Sequence, residues 1–243
     1  MSTTLSRERG DRVAVVRYDN AARGNSFGLA QLDELATTLE RAAARPECAV
    51  VRLDMAGRHF CGGWDTSSFA SLAASGTDAV AASLRTSDEL LARIRDLPVP
   101  VVAGVRGKVI GFGVGLLAAL HLSIAADDVE LSMPEVGFGF APAGVGHLIA
   151  QALPRAQAYA LLTHGTADAK QLASWGLVSR VVHGGDLDQQ VDGLVETLAR
   201  IPAGTLRAVV EVVESSRVTG RPDRAYEIAA RTVTTALTQG DTR

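Results

Sequence analysis

Between Arg106/Lys108 and Asp127/Asp128 the chain runs for 18 residues without a formal charge: VIGFGVGLLAALHLSIAA, residues 109–126. Such a run belongs either in lipid or inside a fold, because leaving it wet costs about 25 cal/mol for each Å² of apolar surface. About 18–20 apolar residues is also the threshold length of a membrane span. Gly111, Gly113 and Gly115, however, lower helix propensity at its start, and His121 and Ser123 interrupt its end. The run therefore reads as a glycine turn, a buried helix and a strand. With 47% hydrophobic and 21% charged residues over 243 positions, the chain matches the globular average. At that length it can bury about 70–75% of its unfolded surface.

Charge and cysteine usage narrow the class further. A net charge of −3 excludes the basic balance of a dedicated nucleic-acid binder. Aromatic residues are only 5%, too few for a base-stacking platform. Two cysteines, Cys48 and Cys61, cannot build a disulfide framework or a four-thiolate zinc site. The start, MSTTLSRERGDR, has no apolar h-region, so a cytoplasmic enzyme is the expectation.

Strands are expected at 12–18, 48–53, 101–105, 122–126, 129–132 and 177–182. Helical spacing begins at Leu29 and continues through Leu32, Leu35, Ala36 and Leu39. A second amphipathic helix runs through Leu84, Leu90, Leu91 and Ile94 until Pro98 and Pro100. Further helices are expected at 112–120, 144–163, 168–175, 186–200, 203–216 and 222–238. Strands alternating with helices imply an α/β class with a largely parallel, helix-covered sheet and a helical tail.

Three apparent motifs lack their context. Gly24-Asn25-Ser26-Phe27-Gly28 satisfies the G-x-S-x-G elbow pattern, but only one expected strand precedes it; it reads as a turn with Asn25 or Ser26 near a helix N-cap. Gly111-x-Gly113-x-Gly115 would need another glycine at 116, where Leu stands, to be a dinucleotide fingerprint. The five histidines share no metal-ligand spacing.

Two glycine segments and one acid remain. In Phe60-Cys61-Gly62-Gly63-Trp64-Asp65, adjacent glycines let backbone N–H groups turn toward a bound group. Ile110-Gly111-Phe112-Gly113 does the same at a helix start, where the dipole favours negative charge. Two such donors are what an oxyanion hole needs. Glu135, after Ser132-Met133-Pro134 and before the apolar run VGFGFAPAGVG, is a carboxylate whose surroundings should raise its pKa. Taken singly, these are equally turn glycines and a solvated glutamate.

Taken together and in order, the segments resemble the enoyl-CoA hydratase/isomerase (crotonase) superfamily over nearly the whole chain. The pieces are Asn25 after a strand, HFCGGWD, DLPVPVVAGVRGKVIGFGVGLLAALHLSIAADD, LSMPEVGFGFAPAGVG and TADAKQLASWGLVSRVV. The resemblance implies a right-handed spiral of β-β-α turns over 1–185 and a helical C-terminal region over 186–243, assembled as a homotrimer or a dimer of trimers. It implies an acyl thioester of coenzyme A as substrate, with no metal, flavin or nicotinamide and no nucleic-acid or membrane partner.

By the same resemblance, the oxyanion donors fall on Trp64 and Phe112, and the catalytic acid on Glu135. Gly63, Asp65, Gly111, Gly113, Cys61 and Arg23 would line the substrate or coenzyme A site. The family's other glutamate position holds Gly115, and the aspartate usual after the glycine helix is replaced by His121. His147 is a candidate second group. One movable carboxylate suffices to shift a double bond, so isomerisation ranks at least level with hydration. Two alternatives follow from the missing acid: a biosynthetic decarboxylase or C–C lyase, and a non-catalytic acyl-CoA-binding subunit.

Overall fold

The computed structural model describes residues 1–139, 141–219 and 228. Its main body is a six-stranded sheet built from β1 (Ser2–Glu8), β2 (Val13–Asp19), β3 (Val50–Met55), β4 (Val101–Val105), β6 (Leu122–Ala126) and β9 (Arg180–Val182), in that spatial order. From β2 onward neighbouring strands are parallel, which requires a crossover between each pair. A second sheet has the order β5 (Lys108–Ile110), β7 (Glu130–Ser132), β8 (Thr166–Asp168).

The inner strands read as continuous apolar runs because both faces are covered. Val13, Val50, Val102 and Ile124 point to one face, where α8 (Leu187–Ala199) lays Leu187, Val191, Val195 and Ala199 against them. Their neighbours Ala14, Val51, Ala103 and Ala125 point to the other face and into the main core. That core also takes the apolar stripes of α1 (Leu29–Ala43) and α3 (Thr77–Arg95), and nearly all of α4 (Phe112–Ala119). The short α2 (Phe69–Ala74) precedes α3. Downstream, α5 (Ala143–Ala152), α6 (Arg155–His164) and α7 (Ala169–Trp175) lead to β9. The last described helix, α9 (Ala203–Thr219), starts by packing Ala203 and Leu206 on Ala49.

Several elements differ from expectation. β1 is absent from the sequence reading because Leu5 is its sole large apolar residue; what holds it is full antiparallel pairing with β2, from Ser2 opposite Asp19 to Glu8 opposite Val13. Two strands, not one, therefore precede the Gly24–Gly28 turn. The start of the uncharged run is strand β5 rather than turn, and the run as a whole is strand, short helix and strand. Among the described residues no helix is long and apolar enough to cross a membrane. The helical stretch 144–163 is two helices, because Leu153 is extended ahead of Pro154. The helix expected at 222–238 lies outside the described residues except for Ile228.

Single bridges extend the second sheet through the loop after β3: Cys61 pairs in parallel with Val109, and Trp64 with Phe27. The chain thus winds from large sheet to small sheet to helix and back, turn after turn. Consecutive turns bring the two glycine segments side by side.

Candidate active site

Cys61 N–H donates to Lys108 O (3.1 Å) and Ile110 N–H donates to Cys61 O (2.9 Å), which locks Cys61 opposite Val109. Trp64 and Phe112 each stand three residues beyond that parallel rung. Around Trp64, Phe27 N–H donates to Gly63 O (3.0 Å) and Asp65 N–H donates to Phe27 O (2.6 Å). In a parallel bridge this leaves the middle residue's own N–H facing the opposite side. Phe112 is the first residue of α4, where N–H groups have no intrahelical acceptor. Among the described residues neither Trp64 N–H nor Phe112 N–H has a hydrogen-bond acceptor.

Close approach of the rungs depends on missing side chains. A Cβ on Gly113 would lie 2.8 Å from Cys61 Cβ and 3.0 Å from its Sγ. Gly63, at φ +97°, is backed by Ile110 O. The bulky side chains at the two donor positions pack on each other and on the core: the Trp64 and Phe112 rings meet edge-on at 4.9 Å, Phe112 lies 5.6 Å from Phe27, and Phe27 stacks on Tyr18 at 4.3 Å. Cys61 is fully buried, and burial pushes its thiol pKa up to about 12, so it is a packing group rather than a nucleophile.

Glu135 opens a 3₁₀ turn, Glu135–Phe138, directly after β7 and Pro134. Its carboxylate lies over Gly111, where a Cβ would stand 2.5 Å from Oε1. Gly111 N–H donates to Ser132 O (2.8 Å), tying the start of α4 to the strand that delivers Glu135. Oε2 is buried without a hydrogen-bond partner. Burial raises the Glu135 pKa above 4.5, the behaviour of a carboxylate withdrawn from water without a compensating cation.

The remaining candidates separate into two groups. Asp65 accepts from Ser67 N–H (3.1 Å), which holds its carboxyl below the usual carboxylate range, and it pairs with Arg23 (3.1 Å) at the exposed mouth of the loop. His147 is exposed on α5, its Nε2 3.1 Å from Gln151 Nε2. His121 Nδ1 accepts from Val101 N–H (3.2 Å) in the interior, and burial lowers its pKa. At Gly115 a Cβ would meet Val145 Cγ2 at 2.8 Å and Leu91 Cδ1 at 3.3 Å, so the space is already filled by apolar side chains.

The roles of two residues escaped the sequence reading. Asn25 is fully buried at φ +57° and donates from Nδ2 to Ala56 O (2.7 Å) and His59 O (2.8 Å), while Oδ1 accepts from Asn20 N–H (3.1 Å). It anchors the loop that carries Trp64. The N-cap of α1 is Gly28, just after the Asn25-Ser26 turn. Asp88, on α3, rests its carboxylate against the α carbon side of Gly144, where any Cβ would collide with Oδ1. In sequence Asp88 is an ordinary polar residue beside a helical stripe; only the missing side chain at Gly144, on another helix, gives it a place.

Comparison with known proteins agrees with the architecture. The model of the family described as "Enoyl-CoA hydratase/isomerase" matches residues 8–241. A Bacillus subtilis protein named "Probable enoyl-CoA hydratase" is 28% identical over 212 residues, covering 85% of this chain and 80% of that protein. The Danio rerio "Enoyl-CoA hydratase domain-containing protein 3, mitochondrial" is 26% identical, over 94% of this chain and 78% of its own length. Among solved structures, Pseudomonas aeruginosa AtuE superposes with a TM-score of 0.89 at 25% identity, covering 98% of this chain and 92% of AtuE. Human enoyl coenzyme A hydratase domain-containing protein 3 gives 0.86 at 23% identity, over 97% and 92%, a likeness of fold.

Proposed function

The chain belongs to the enoyl-CoA hydratase/isomerase family, and from that premise we propose that it shifts a carbon–carbon double bond in an acyl thioester of coenzyme A. Its backbone N–H groups at Trp64 and Phe112 hold the thioester oxygen, and Glu135 moves the proton. Loss of the C2 proton leaves an electron pair that delocalises onto the thioester oxygen. Two preorganised donors, one backed by the positive end of α4, stabilise that oxygen, each contributing about 3–4 kcal/mol to the transition state. Glu135, withdrawn from water, is a stronger base than a surface glutamate.

The observation that favours migration over hydration is Gly115. Adding water across a double bond calls for groups that hold and activate the water, and α4 offers no carboxylate where Val145 and Leu91 close on Gly115. A proton shuttle needs none there. The exposed Arg23–Asp65 pair lies where the polar end of a coenzyme A ester could reach, which supports Arg23 as a coenzyme A neighbour. A homotrimer or paired trimers is the assembly we expect, checked by sedimentation.

A mixture of saturated, 2-enoyl, 3-enoyl and malonyl coenzyme A esters, followed by mass spectrometry and NMR, tests this. Expected is interconversion of 3-enoyl and 2-enoyl esters, lost in Glu135→Gln while ester binding persists. Carbon dioxide release from the malonyl ester, net water addition, or binding of every ester without turnover would each overturn it.

A further inference from the structure

Gly111 carries Glu135 against it, and Gly144 carries Asp88 in the same manner; in both cases a carboxylate occupies the place of an absent side chain. The two sites flank Gly115. Gly111 is one turn of α4 away, about 6 Å. Gly144 immediately precedes Val145, whose Cγ2 closes on Gly115. Leu91, which closes on Gly115 from the other side, is three residues after Asp88 on α3 and so shares its face. Glu135 is thus linked to Gly115 through α4, and Asp88 through the neighbours of Val145 and Leu91.

Asp88 lies against the first turn of α5, where the helix dipole favours its charge. Among the described residues it makes no hydrogen bond and no ion pair, and the first-turn N–H groups of α5 do not donate to it. Glu135 lies against Gly111, the residue before Phe112, and Asp88 lies against Gly144, the residue before the Val145 that closes on Gly115. We propose, resting on the double-bond migration argued above, that Asp88 is the second acid–base group of this site: Glu135 removes the C2 proton and Asp88 delivers a proton to C4.

The step balances without a co-reactant. The C2–H bond breaks, its proton goes to Glu135, and its electron pair enters the dienolate. The C4–H bond forms with the Asp88 carboxyl proton, and the double bond settles between C2 and C3. Glu135 is left protonated and Asp88 ionised; both reset through water, to which Asp88 is exposed. Desolvation raises the Asp88 pKa, while His147 acts in the opposite sense.

The test uses trans-3-hexenoyl-CoA in D₂O with the full-length protein, reading C2 exchange and deuterium position by NMR and mass spectrometry. With two groups, solvent deuterium enters C4 of the product. Asp88→Asn should lower migration at least about 100-fold, the ordinary worth of a general acid, while C2 exchange falls less than tenfold. Glu135→Gln should lose both. Migration by Asp88→Asn within threefold of wild type, or a product whose C4 carries the substrate's own proton, overturns the role of Asp88 and leaves the enolate reading standing. Absence of both C2 exchange and migration in wild type overturns that reading and this one with it. The isotope result needs only wild type, so it holds even if the variants fold poorly.

Discussion

The Glu135 carboxylate occupies the volume that a side chain on Gly111 would need, with Oε1 2.5 Å from where its Cβ would be. Gly111 also sits at φ +50°, a region costing a non-glycine residue about 1–3 kcal/mol. Gly111→Ala should therefore strain the turn and drive Glu135 off its position. A displacement of about 1 Å at the reacting centre typically costs 10²-fold, so kcat should fall by about that factor with a smaller change in KM. In the Glu135→Gln background the same alanine should cost almost nothing further, because the group it displaces is already inactive. Full additivity in that double variant would show that the contact is incidental.

Phe112 permits a cleaner test of a backbone donor. It is the first residue of α4, where proline is well accepted and removes the N–H along with the ring. Phe112→Pro should lower kcat about 10²–10³-fold. Phe112→Leu keeps the N–H and loses only ring contacts with Phe27 and Trp64, so it should retain most activity at a lower melting temperature. Equal kcat in the two variants would remove Phe112 N–H from the mechanism.

Much of the fold was legible because its strands are buried on both faces: 101–105 and 122–126 coincide with β4 and β6. β1 was not, since strand pairing rather than apolar pattern holds it. β5 and β8 were missed because β5 runs straight into glycines that read as a turn and β8, Thr166–Asp168, has a single apolar residue. Local glycine and acid motifs single out the segments of Trp64, Phe112 and Glu135, and only the resemblance gives these residues roles. The places of Asp88 and of Asn25's side chain depend on contacts between elements, Asp88 with Gly144 and Asn25 with Ala56 and His59, and no local pattern encodes those.

Asn25 offers a stability test of that loop. Asn25→Ala leaves the Ala56 and His59 carbonyls and the Asn20 N–H without the partner they have now. An unsatisfied buried polar group costs about 1–3 kcal/mol. Denaturant unfolding should show a loss of about 2–4 kcal/mol, with activity reduced because the Trp64 loop loses its anchor. A loss below about 0.5 kcal/mol would mean that water replaces all three bonds.

Gly115 marks the limit on converting this site. A methyl there overlaps Val145 Cγ2 at 2.8 Å, and overpacking of this kind costs about 1–3 kcal/mol. Gly115→Ala should unfold at correspondingly lower denaturant concentration. Gly115→Glu should be less stable still and gain no hydration of 2-enoyl esters. Water addition by Gly115→Glu would show that the apolar filling, not the fold, is what excludes hydration.

In the proposed reaction Glu135 would link catalysis to stability through one proton. Its pKa is raised in the folded protein by burial above the ordinary 4.5. Between those two values the folded state holds the proton more tightly than the unfolded chain, so stability falls as pH rises through the window and levels off above the folded pKa. Glu135→Gln has the same shape and cannot ionise. The difference in melting temperature, variant minus wild type, should therefore grow from pH 4.5 upward and then flatten, while every other titrating group shared by the two proteins cancels. In the proposed reaction the ionised carboxylate is also the base, so wild-type kcat/KM should rise over the same interval, since that ratio reports the free enzyme. Coincident midpoints in the two experiments would assign both to Glu135. A melting difference that stays constant with pH would mean that ionising Glu135 costs the fold nothing, contrary to a buried Oε2 that has no partner.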